Sequence, residues 1–175
     1  RSVDYWKEFN TRFFTGEKTM MDITYMGIST GKITIETKSD TQIGGKDVYH
    51  VQARIKTADF YSYLYELDDY CDSYISKNSH VPVKFSLIQR ESSQDIDDLQ
   101  LFDAEKLKTY SLYKRVTDKK TKKSKKENNT PKYFQDPLSI VYFLRGMNFA
   151  LEKEYIVPVI NQGKVEVLTA KLIGH

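Results

Sequence analysis

The sequence predicts a mainly β domain: a curved antiparallel sheet, a β-roll or half-barrel, wrapped around one buried α-helix. Three observations lead there. The chain carries 13 Tyr in 175 residues, with an aromatic fraction of 13%, and Tyr favours a pleated, half-buried surface. Short stretches of period-two alternation recur from Gly16 onward, as in strands with one dry and one wet face. One stretch after Asp136-Pro137 is apolar almost all round, and such a helix must be covered by other elements.

Residues 1–15 read as a lead-in segment, and 16–175 as one β-rich domain. In the lead-in, Trp6, Phe9, Phe13 and Phe14 fall near helical spacing, which fits a short amphipathic helix or a packed lead-in. Met21, Ile23 and Tyr25 then alternate with Asp22 and Thr24. Beyond a turn expected at Ser29-Thr30-Gly31, Ile33 and Ile35 alternate with Lys32, Thr34 and Glu36, completing a hairpin. Gly44-Gly45 marks the next turn. The following strand sends Tyr49, Val51, Ala53 and Ile55 one way and His50, Gln52, Arg54 and Lys56 the other. Thr57 to Glu66 fits a helical turn or an aromatic strand equally well.

A meander of short strands follows. Asp68 to Ile75 is one; Val83, Phe85 and Leu87 alternate, then Leu99 and Leu101, then Tyr110 and Leu112, with a turn at Asp103 to Lys106. Residues 117–132 hold almost no apolar side chain and read as a basic, solvated loop. Asp136 is a good helix N-cap and Pro137 suits the first helical position. The helix spans about 136–146, and Gly146 suits its end. Two last strands, Glu154 to Ile160 and Lys164 to Ile173, join through Asn161-Gln162-Gly163.

Net charge is +3, but its distribution is uneven. Lys114 to Lys132 holds nine Lys or Arg against two acids, a local excess of +7 that leaves about −4 elsewhere. Cys71 is alone, so no internal disulfide forms and no zinc spacing exists. No apolar run approaches a membrane span. The chain starts at Arg1 without Met, which fits a processed chain whose export signal has been removed.

Two stretches carry a family resemblance. Phe14-Thr15-Gly16-Glu17-Lys18, followed by Tyr25-Met26-Gly27-Ile28-Ser29-Thr30-Gly31, looks like the opening hairpin of the DUF3108 family of bacterial exported proteins. Asp136-Pro137-Leu138-Ser139-Ile140-Val141-Tyr142-Phe143-Leu144-Arg145 is similar to that family's DPLS…YxLR signature. Phe102-Asp103 sits where the family has an aromatic-Asp turn. The resemblance implies a periplasmic or otherwise exported location and no known catalytic activity. It departs at the end, since family members continue with further strands beyond the final hairpin.

The residues themselves offer little catalytic equipment. Asp68-Asp69, Asp97-Asp98 and Glu66 sit next to turns in polar company, and read as solvated acids rather than an acid/base pair. Asp69 and Asp72 flank Cys71 and disfavour its thiolate. His50, His80 and His175 are too far apart for a metal site. Ser139 lacks a nucleophile-elbow context, and the glycines make no phosphate loop. No cofactor is expected.

Two surfaces remain. Lys119, Lys120, Lys122, Lys123, Lys125 and Lys126 could contact an anionic surface such as lipid headgroups, or serve only solubility. Nucleic acid is disfavoured, because no aromatic residue interrupts the run. Tyr142 and Arg145 could sit at a cavity mouth, or form structural contacts at the helix end. The sequence therefore favours a non-catalytic cell-envelope protein that binds a lipid, glycan or other amphipathic ligand, or an envelope protein. A structural or interaction module acting through a sheet edge or the basic loop is the alternative. A carboxylate-dependent hydrolase ranks third.

Overall fold

The computed structural model describes Trp6 and residues 10–59, 62–63 and 65–174. The helix expected around Phe9, and the ambiguous stretch at Phe60, Tyr61 and Leu64, lie partly outside the described residues.

Period-two alternation becomes strand as expected. Nine strands form one antiparallel sheet: β1 (Lys18–Tyr25), β2 (Ile28–Thr37), β3 (Thr41–Ile43), β4 (Lys46–Thr57), β5 (Asp68–Ser76), β6 (Pro82–Glu91), β7 (Gln94–Asp103), β8 (Lys108–Val116) and β9 (Thr121–Asn129). Their order is β1-β2-β4-β5-β6-β7-β8-β9, with β3 on β4 beyond the end of β2. The sheet is open, with β1 and β9 as its two edges. A separate hairpin, β10 (Glu154–Asn161) and β11 (Lys164–Lys171), follows α1 (Ser139–Arg145), the one α-helix among the described residues.

Two sequence expectations are corrected. The first turn lies at Met26-Gly27, and Ser29-Thr30-Gly31 belongs to β2. Gly31 is there for close approach: a Cβ would come within 2.8 Å of the Lys56 carbonyl oxygen on β4. The basic segment is no loop over most of its length. Residues 121–129 form β9, paired in full register from Thr121 opposite Val116 to Asn129 opposite Lys108. The turn at 117–120 and the exit at 130–132 stay irregular. Both faces of β9 meet water, so its backbone can pair without any side chain being buried. Cations on an edge strand also discourage further pairing.

The helix is shorter than expected and begins at Ser139, with Leu138 at its N-cap position, but Asp136 still organises the turn that leads into it. The Asp136 carbonyl accepts the first helical hydrogen bond, from Ile140 at 3.2 Å. Its Oδ1 accepts from the backbone N–H of Leu138 and Ser139 at 2.9 and 2.7 Å. Ser139 Oγ returns the contact by accepting from the Asp136 N–H at 2.8 Å, a reciprocal contact. Val141 is exposed, so the helix is not covered all round.

Alternation divides the sheet into an inner and an outer face. Val51, Ala53, Ile75 and Phe85 on the inner face pack with Phe134, Leu138, Tyr142 and Ile160. A second cluster joins Ile140, Phe143 and Met147 to Tyr155, Val157 and Val159 of β10. Thus α1 lies between the inner face and the β10–β11 hairpin. Ser73 of β5 reaches from the inner face to donate to Asp136 Oδ2 at 2.6 Å, tying the helix start to the sheet.

Candidate functional site

The middle of strands β7 and β8 buries polar side chains. On the inner face, Asp98, Gln100, Thr109 and Ser111 are 3%, 0%, 1% and 6% exposed. The β10–β11 turn covers Gln100 and Ser111, with the Gly163 N–H donating to Gln100 Oε1 at 3.1 Å, and Thr130 meets Thr109. Gly163 sits at φ +73, and a Cβ there would lie 2.5 Å from Ser111 Oγ, so glycine is required on both counts. Burial raises the Asp98 carboxyl above its ordinary range, opposed by the hydrogen bond from Gln100. The same inner face of β7 also buries Ile96 and Phe102, 7% and 6% exposed, while on the outer face Ile88, Leu101 and Leu112 are 39%, 39% and 41% exposed. Buried polar groups opposite an exposed apolar stripe reverse what a sheet needs for stability alone.

That outer face forms a groove of about 620 Å³ across β6 to β9, within the usual size range of small-molecule sites. Leu99 of β7 faces Leu112 of β8, and Leu112 faces Lys125 of β9. Ile88 extends the apolar floor onto β6. Lys84, Lys114, Lys123 and Lys125 line the rim, with Ser86 and Asp97. Asp97 is engaged by Arg90 at 2.6 Å, and the Lys84 ammonium lies 4.9 Å from the centre of the Tyr74 ring. The neighbouring outer face over β4 and β5 is different in kind, being filled by mutual pairs. His50 and Gln52 contact Asp72 at 2.7 and 2.9 Å, and Arg54 clasps Asp68.

The six lysines predicted as one anionic-surface contact do not share a face. Lys123 and Lys125 point to the groove, Lys122 and Lys126 point to the inner side, and Lys119 and Lys120 lie in the β8–β9 turn. Tyr142 and Arg145 come together, but away from the groove. Tyr142 is buried and its hydroxyl meets Thr37 Oγ1 at 3.1 Å. Phe13 stacks between Tyr49 and Tyr142, with centroids at 4.1 and 5.0 Å. Arg145 lies over the Tyr142 ring, pairs with Glu17 at 2.5 Å and donates to the Arg12 carbonyl at 2.6 Å. Together they dock residues 11–17 onto the body.

The acids considered for catalysis are separated by alternation. Asp97 and Asp98 point to opposite faces, as do Asp68 and Asp69. Burial raises the Asp69 carboxyl, which accepts from Gln89 and the Arg90 N–H. In Asp72 burial acts the same way, but hydrogen bonds from His50 and Gln52 outweigh it and hold the carboxyl low. Burial, then Asp136 and Asp72, push the Cys71 thiol far up. Among the described residues, no group of three or more His, Cys, Asp or Glu could hold a metal ion, and no helix is long and apolar enough to cross a membrane.

The family model described as "Protein of unknown function (DUF3108)" matches residues 21–175. The chain belongs to the DUF3108 family. The match takes in the groove, the reciprocal contact at Asp136, the β9 edge and the β1 edge from Met21 onward. Searches of curated proteins and of solved structures return no match.

Proposed function

We propose that this DUF3108 chain is a non-catalytic protein of the bacterial cell envelope that binds an apolar or amphipathic ligand in the groove across β6 to β9. The groove carries the reading: exposed Ile88 and Leu112, with half-buried Leu99 between their strands, form an aliphatic floor on the outer face, away from the packed core. The envelope setting is what the family resemblance implies. The finer architecture belongs to the same reading, with the sheet curling around α1 so that its outer side stays free. The commitment of Asp68, Asp97 and Asp72 to basic partners supports a binding rather than a catalytic role.

The test is a titration of methyl-labelled protein with a dodecyl-chain amphiphile. Saturable shifts at Ile88, Leu99 and Leu112, abolished by Leu112→Asp, are expected. No saturable shift, or shifts confined to Ile140 and Val167 beside the helix, would overturn the reading. For the setting, fractionation of cells expressing the full-length gene product should recover it outside the cytoplasm; recovery in the cytosol would refute that part.

A second reading, an interaction module, is favoured by the β1 edge. Met20, Met21, Ile23 and Tyr25 are all exposed there, on a strand that pairs on one side only, and Met26 is exposed in the turn that follows. Open apolar edges accept added strands. Met20→Lys with Ile23→Lys should then abolish capture of a partner, and unchanged capture would remove this reading.

A further inference from the structure

We propose that the ligand of the groove is a lipid with an anionic head, its chain on the Ile88, Leu99 and Leu112 floor and its head held by Lys114, Lys123 and Lys125. The inference rests on the groove reading above and adds the chemical class.

The cross-strand pairing carries it. Lys114 of β8 stands directly opposite Lys123 of β9 on the outer face, and Lys125, two residues on, stands opposite Leu112. Like charges directly opposite one another destabilise a sheet. Alternation thus gathers three ammonium groups at one end of an apolar floor, where a shared anion would offset their repulsion.

The described residues offer no internal substitute. The nearest acid, Asp97, stands directly opposite Lys114 but is engaged by Arg90 at 2.6 Å rather than by Lys114, and Glu127 further along β9 is held by Lys108 at 3.1 Å. None of Lys114, Lys123 and Lys125 forms an ion pair with a described residue. An apolar floor alone would accept any chain, and three cations alone would accept any anion. Side by side, they fit a molecule that is both. A flexible ammonium matches a phosphate or carboxylate as a point charge. A neutral or cationic head would leave the three charges facing one another.

The experiment compares ligands that share one chain and differ in the head: dodecyl phosphate, dodecanoate, dodecanol and dodecyltrimethylammonium, each below its micelle-forming concentration. The two anions should bind at least about tenfold more tightly than dodecanol, with the difference shrinking as salt rises. Substituting Lys114, Lys123 and Lys125 together by Ser should lower the anions to the dodecanol level and leave dodecanol unchanged. Lys122→Ser with Lys126→Ser, on the same strand but the opposite face, should change nothing, which separates the rim from the general charge and stability of β9. Equal binding of dodecanol and dodecyl phosphate would overturn the anionic head while leaving the groove reading intact. Failure of all four ligands would overturn both. Binding of dodecyl phosphate lost equally in the Lys122/Lys126 variant would reduce the effect to net charge and refute the inference. Capture by phosphatidylglycerol vesicles without binding of monomeric dodecyl phosphate would refute it in favour of a membrane surface. Dimerisation that masks the Leu112 methyls, and that dodecyl phosphate does not reverse, would refute it in favour of a second copy.

Discussion

Asp136 is fully buried, and burial pushes its carboxyl from an ordinary value of 3.8 up to about 6, against the pull of the hydrogen bonds it accepts from Ser139, Ser73 and Leu138. The folded protein therefore keeps a proton there that the unfolded chain has already released between about pH 4 and pH 6. Stability from this group falls as pH rises through that window. The penalty is absent below about pH 4 and complete above about pH 6. From 3.8 to about 6, at about 1.4 kcal/mol per pH unit, the loss comes to about 3 kcal/mol.

Asp136→Asn isolates that charge. The amide oxygen still accepts from the Leu138 and Ser139 N–H groups, and the Ser73 hydroxyl can turn to accept from the new amide nitrogen. Urea unfolding of both proteins at steps between about pH 4 and pH 7 should show the wild type losing about 3 kcal/mol relative to the variant. Asp69 and Asp98, whose carboxyls are also raised by burial, are common to both proteins and cancel in the difference. A stability difference that stays flat across the window would refute the reasoning.

Two further predictions concern the packing that leaves the groove open. Gly163→Ala should destabilise by about 1–3 kcal/mol, from its positive φ and the contact with Ser111 Oγ. Adding Ser111→Ala should restore the part due to the contact, as read from urea midpoints. Cys71 should not react with a thiol reagent at pH 8 in the native protein, because burial holds its proton, and should react fully in urea; rapid native labelling would contradict its placement.

How much of this was legible depends on which physical signal each element carries. Strand β4 and the turn at Asp136-Pro137 that leads into the helix announce themselves, because one has a dry and a wet face and the other a local hydrogen-bonded turn, though the helix itself begins three residues later. Strand β9 does not, since a strand wet on both sides shows no alternation of polarity. Gly31 reads as a turn residue, whereas its true reason is a carbonyl on a distant strand, 2.8 Å from where its Cβ would be. Alternation also marks β7 and β8 without saying which face meets the core. Leu99 and Leu112 look like core residues until the β10–β11 turn is seen to cover Gln100 and Ser111 instead. The groove was hidden for that reason. Tyr142 and Arg145 stand out in the sequence for their chemistry, but the partners that claim them, Phe13, Glu17 and Arg12, lie more than a hundred residues away.

The two edges of the sheet differ in what they would accept. β9 is lined with ammonium groups on both sides, while β1 presents Met20, Ile23 and Tyr25 along open backbone. Strand-by-strand growth through this sheet can therefore start at one end only. If two copies meet, the contact compatible with both surfaces is β1 against β1 about a two-fold axis, and it leaves a lysine-lined edge at each far end. Such an assembly closes at two molecules. The exposed apolar edge of this sheet is thus matched by a cationic edge seven strands away, which disfavours growth beyond a pair.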